Sequence, residues 1–177
     1  MVRQMKDNKD VWLPSVARIR CEHWDERPRA DGQEIDIDLL VIHNISLPPA
    51  TCEKDFDNHY VEDFFAGKLD CEAHPVFSEL KGVRVSAHLF IKRCGKVIQF
   101  VPLNARAWHA GKSEFEGRPR CNDFSIGIEM QGSDCLPYTD AQYESLVQVT
   151  KKLMQTYPSI KRSNIVGHED IAPGRKT

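Results

Sequence analysis

Residues 35–45, IDIDLLVIHNI, decide how this chain folds. The first four alternate apolar and acidic, and residues 39–42 then run apolar without a break, as a strand buried on both faces does. A half-solvated strand would have kept alternating. The stretch therefore belongs inside a sheet that carries cover on both sides, and it ends on a histidine, His43.

Outward from this strand, FSIGIEM (residues 124–130) is a second apolar run, interrupted by one acid, Glu129. AHLFIKRCGKVIQFV (87–101) reads as two β-rich runs joined at Cys94-Gly95, a hairpin. SNIVGH (163–168) is a short strand that delivers His168. Between them, DFDNHYVEDFFAG (55–67) sets Tyr60, Phe64 and Phe65 at helical spacing and closes on Gly67. The clearest helix lies within 138–158. Thr139 and Gln142 form a T-x-x-Q capping box, Tyr143, Leu146, Val147, Thr150, Leu153, Met154 and Tyr157 recur at helical spacing, and Pro158 stops the run. The fold class expected is α/β, with a central mixed β-sheet flanked by helices. No repeat or flexible linker divides the chain, so 1–177 reads as one domain, with the first ten or so residues outside its ordered part.

A chain of 177 residues with 41% hydrophobic and 28% charged residues can bury a core without staples, and its makeup is that of a soluble globular protein. A net charge of −2 and a pI near 6.4 exclude the broad basic surface of a nucleic-acid binder. The sequence shows no membrane span. MVRQMKDNKDVWLPSVARIR, at the start, lacks the apolar core of an export signal, so a cytoplasmic location is expected. Cys21, Cys52, Cys71, Cys94, Cys121 and Cys135 are scattered singly and read as reduced thiols.

Two histidines at the ends of two strands of one sheet, His43 and His168, place imidazoles at the edge where α/β sheets hold ligands. Zinc suits such nitrogens and, when catalytic, takes three protein ligands. A third is open on the residues alone: Glu129 is one candidate, an outward-facing strand acid its alternative, and Glu169 and Asp170 offer two more carboxylates. A nucleophilic pair of Cys121 or Cys52 with His109 or His43 has no mark of a low-pKa thiolate, and inert buried thiols fit better. His88 and His109 read as satisfied structural histidines, with residues 108–111, WHAG, as a pocket wall.

Taken together, LLVIHNISLPP, VSAHLFIKRCGKVIQFV, RAWHAG, CNDFSIGIEMQG and GHEDIAPGRKT resemble the zinc N-acetylmuramoyl-L-alanine amidases, in order, over residues 11–177. The resemblance implies zinc as cofactor, His43 and His168 as two of its ligands, Glu129 as catalytic acid and Lys176 as its electrostatic partner. It implies Asn44, Arg84, Trp108, Arg120 and Arg175 around the substrate, a small muropeptide, with no nucleic-acid or membrane partner and a monomeric state. The family's third ligand is an aspartate directly after the lysine–threonine pair, so the natural sequence is expected to continue past Thr177. A non-catalytic muropeptide-binding module on the same fold is the alternative.

Overall fold

The structure, a computed structural model, describes residues 10–174. Six strands form one sheet: β1 (Ala17–Arg18), β2 (Leu39–Ile45), β3 (Leu89–Ile91), β4 (Val97–Gln99), β5 (Ser125–Gln131) and β6 (Ile165–Gly167), in the spatial order β1-β4-β3-β5-β2-β6. Only β3 and β4 run antiparallel, as the hairpin about Cys94-Gly95 requires. The pairs β3–β5, β5–β2, β2–β6 and β1–β4 are parallel, so the sheet is mixed as expected.

The two faces are divided by residue parity. Leu40, Ile126, Ile128 and Met130 pack with Leu89, Ile91, Val149 and Leu153 beneath the long helix α2 (Asp140–Thr156). Leu39 and Val41 pack on the other side with Ala110, Cys121, Phe124 and Ile171. Further along, the short helix α1 (Tyr60–Phe65) buries Val61, Phe64 and Phe65 against Phe90, Ile98 and Phe100. Both faces are thus covered, and both β2 and β5 had to be apolar almost throughout.

Helix α2 begins at the Thr139 cap, whose hydroxyl accepts from Gln142 N, with the Gln142 side chain reaching back to Thr139 N. Leu146, Leu153, Met154 and Tyr157 pack on the core as read in the sequence, and the buried face also takes in Gln142 and Val149. Tyr143 and Val147 are 52% and 48% exposed, while Gln142 is fully buried beside Val149 and Leu153. Gln142 tolerates burial because its amide donates to Ile91 O and Gln131 O and accepts from Arg93 Nη1. A hydrophobicity count cannot register that network.

Candidate active site

Register builds the site. In parallel strands, residues at one level project to the same face. Glu129 of β5 pairs with His43 of β2, and Gly167 of β6 pairs with Ile42, so His168 follows at the level of His43. Glu129 and His43 therefore lie near the carboxyl ends of two neighbouring parallel strands, and His168 directly follows a third. His43 and Glu129 are buried, at 5% and 9% exposure. His168 is the first residue of a four-residue helix, α3 (His168–Ile171), rather than the end of a strand.

His109 joins them. Its ring lies over Gly127 of β5, where a Cβ would come within 2.5 Å of His109 Cγ, so only glycine fits that level of the strand. Asn122 Oδ1 accepts from His109 N and Ala110 N and fixes the backbone of this segment.

The hydrogen bonds decide where the ring protons sit. The Ser125 hydroxyl donates to Cys121 O at 2.6 Å, so its oxygen can only accept from His109 Nε2, 3.2 Å away. Burial pushes His109 well below the ordinary histidine range, and His88, Arg27 and His168 add repulsion. The ring is neutral, and its Nδ1 carries no proton. His43 Nε2 must then donate to His109 Nδ1 at 2.9 Å. On the far side, His168 Nε2 lies 3.3 Å from Ala110 O, which can only accept.

Each of these two rings, when neutral, has an unprotonated Nδ1, and the two Nδ1 atoms face each other at 2.9 Å. Two lone pairs repel at that distance unless a proton or a metal ion lies between them. The separation is close to the roughly 3.3 Å between neighbouring ligands of a tetrahedral zinc, and two imidazole nitrogens are donors zinc accepts. The residues present fit the metal as a two-ligand cradle. Among the described residues no three His, Cys, Asp or Glu side chains form a complete cage. Glu169 is exposed, and Asp170 accepts from Gly167 N at 2.7 Å, capping α3 instead. Lys176, Arg175 and the expected continuation lie outside the described residues, as do the first nine.

Of the residues expected near substrate, Trp108 is the best fixed. Its backbone exchanges hydrogen bonds with Ser86, its Nε1 donates to Asp25 Oδ1 at 3.0 Å, and its ring stacks with His23. Arg106 donates to both Asp25 and Asp123, and that hydrogen bond, with the one from Trp108, holds the Asp25 carboxyl below its ordinary range. Asn44 is exposed and donates to Asp134 at 2.8 Å. Arg120, in a left-handed turn, pairs with Asp123 at 3.1 Å, and Arg84 is exposed on a loop.

The sequence reading gave His109 a structural place in a pocket wall but not its contact with His43, and gave Ser125 and Asp25 no role. A glycine in the middle of β5 was the available signal for the first, since an interior strand glycine marks a close approach. His88 is the structural histidine expected: its Nδ1 accepts from Gly127 N and its Nε2 donates to Ala105 O. All six cysteines are free. Burial raises the Cys121 thiol, as an inert buried thiol would show, whereas Cys52 is exposed rather than buried.

A mixed α/β domain with two imidazoles and a carboxylate at the ends of adjacent parallel strands has the layout of a hydrolase. The family model described as N-acetylmuramoyl-L-alanine amidase matches residues 33–177, and the chain belongs to that family. It is 50% identical to the 1,6-anhydro-N-acetylmuramyl-L-alanine amidase AmpD of Haemophilus influenzae, over 99% of this chain and 91% of that protein. It is 49% identical to the Escherichia coli protein of the same name, over 94% and 86%. A crystal structure of a selenomethionine AmpD derivative superposes with a TM-score of 0.87 at 48% identity, covering 96% of this chain and 89% of that one. A complex of Escherichia coli AmiD with anhydro-N-acetylmuramic acid-L-Ala-D-gamma-Glu-L-Lys superposes with a TM-score of 0.57 at 30% identity, covering 85% and 55%. No helix among the described residues is long and apolar enough to cross a membrane.

Proposed function

We propose that the chain is a zinc-dependent amidase that hydrolyses the bond between the lactyl group of 1,6-anhydro-N-acetylmuramic acid and the L-alanine of the stem peptide, acting as a cytoplasmic monomer in peptidoglycan recycling. The observation that carries this reading is the pair of Nδ1 atoms of His43 and His168 facing each other at 2.9 Å, with Glu129 the register partner of His43.

Zinc held by His43 and His168 would supply Lewis acidity at the scissile carbonyl and bring the pKa of water towards 7. Glu129 is the general base: it takes a proton from the attacking water and returns it to the departing amine of L-alanine. Its place inside the sheet keeps bulk water from competing for that proton. Lys176, outside the described residues, supplies positive charge for the oxyanion. Trp108, locked by Asp25 and Ser86, gives a flat face to the sugar, and Asn44, Arg84, Arg120 and Arg175 offer donors to the peptide and its carboxylates.

The test is incubation of the chain with an anhydro-muramyl tripeptide, followed by mass spectrometry before and after chelation and zinc return. Free sugar and free peptide should appear, vanish with chelator and return with zinc. Binding of the muropeptide without cleavage in the zinc-loaded chain would make the protein a recognition module and overturn the reading.

A further inference from the structure

The chemistry assigned above uses His43, His168 and Glu129, yet the structure devotes a second layer of groups to holding the two imidazoles. We propose that His109 and Ser125 are positioning residues: Ser125 sets the ring of His109 so that its Nδ1 accepts, and His109 thereby holds His43 as an Nε2 donor, the tautomer whose Nδ1 can ligate a cation. The inference rests on the metal-dependent reading of the site.

The relay runs in one direction only. Cys121 O accepts from Ser125 Oγ, Ser125 Oγ accepts from His109 Nε2, and His109 Nδ1 accepts from His43 Nε2. It starts at a carbonyl that cannot donate, so reversing any link would leave two donors or two acceptors opposed. Ser125 is fully buried and His109 nearly so, at 9% exposure, so water is not at hand to mend a broken link. The same segment serves the other imidazole, because Ala110 O accepts a hydrogen bond from His168 Nε2 and Asn122 anchors both Ala110 and His109. One anchored turn thus orients both imidazoles. Outer groups of this kind typically change metal affinity about 10- to 100-fold when removed.

Two His109 variants separate positioning from packing. His109→Leu keeps apolar volume and loses the acceptor, whereas His109→Asn keeps an acceptor near the position of Nδ1 and loses volume. Zinc titration of the full chain should give a dissociation constant weakened about 10- to 100-fold in His109→Leu and much less in His109→Asn. Ser125→Ala should weaken zinc by a smaller factor. In the metal-free chain, nitrogen-15 spectra of His43 should show the proton on Nε2, and Ser125→Ala should mix the two ring tautomers.

Tight zinc in the parent chain with unchanged affinity in His109→Leu and Ser125→Ala would overturn the positioning role and leave the amidase reading standing. A parent chain that held no zinc would instead overturn the metal-dependent reading. The spectrum of His43 decides the relay even then, and also if His109→Leu does not fold: an Nε2 without a proton would contradict it.

Discussion

Glu129 and His43 are register partners on adjacent parallel strands at the centre of the sheet, so the carboxylate and the first imidazole are held by strands buried over most of their length. Neither depends on a surface loop for its place. If Glu129 is the general base, Glu129→Ala should lower kcat by about two to four orders of magnitude while the fold and bound zinc persist. Turnover at the parent rate in zinc-loaded Glu129→Ala would remove it from the mechanism.

Gly127→Ala tests the close approach beneath the site. The new methyl would meet His109 Cγ, Nδ1 and Cδ2 at 2.5–2.7 Å, and the ring is buried with nowhere to retreat. We expect a loss of about 1–3 kcal/mol, the usual range for overpacking, together with weaker zinc because the support of His43 is displaced. Denaturant unfolding within about 0.5 kcal/mol of the parent would contradict this.

Much of this arrangement was legible in the sequence. The unbroken apolar runs of β2 and β5 marked strands covered on both faces, and the hairpin and the T-x-x-Q cap had local chemistry that tertiary packing did not override. His43 and Glu129 were visible because each interrupts or ends such a run. His109, Ser125 and Asp25 were not, because their roles come from partners 66, 16 and 83 residues away in the chain. The burial of Gln142 on α2 was not legible for the same reason: its amide is satisfied by Arg93, Ile91 and Gln131.

His88 makes stability depend on pH. It is fully buried, and burial first, with repulsion from Arg27, pushes its pKa down to about 3. The unfolded chain therefore takes up the proton first, so stability is complete above about pH 6.5 and falls as the pH drops towards 3. At pH 5 this one group should have cost about 2 kcal/mol relative to pH 7.5. Unfolding curves at the two pH values should show a smaller loss for His88→Gln than for the parent. Equal losses in the two proteins would contradict the assignment.

Asp25→Asn tests the fixing of Trp108. Asp25 accepts from Trp108 Nε1 and from Arg106, and the amide would lose the charge that holds both. KM for the muropeptide should rise about tenfold with kcat nearly unchanged, because the indole binds substrate before and during the reaction alike. A fall in kcat at constant KM would place Trp108 in the chemical step instead.

The central claim is that His43 and His168 hold zinc through their facing Nδ1 atoms. X-ray absorption at the zinc edge of the loaded chain measures this directly. The expected result is bound zinc with two imidazole nitrogens at about 2.0–2.1 Å, one of them lost in His43→Ala and one in His168→Ala. A zinc environment without imidazole nitrogen, or one unchanged in both variants, would contradict it.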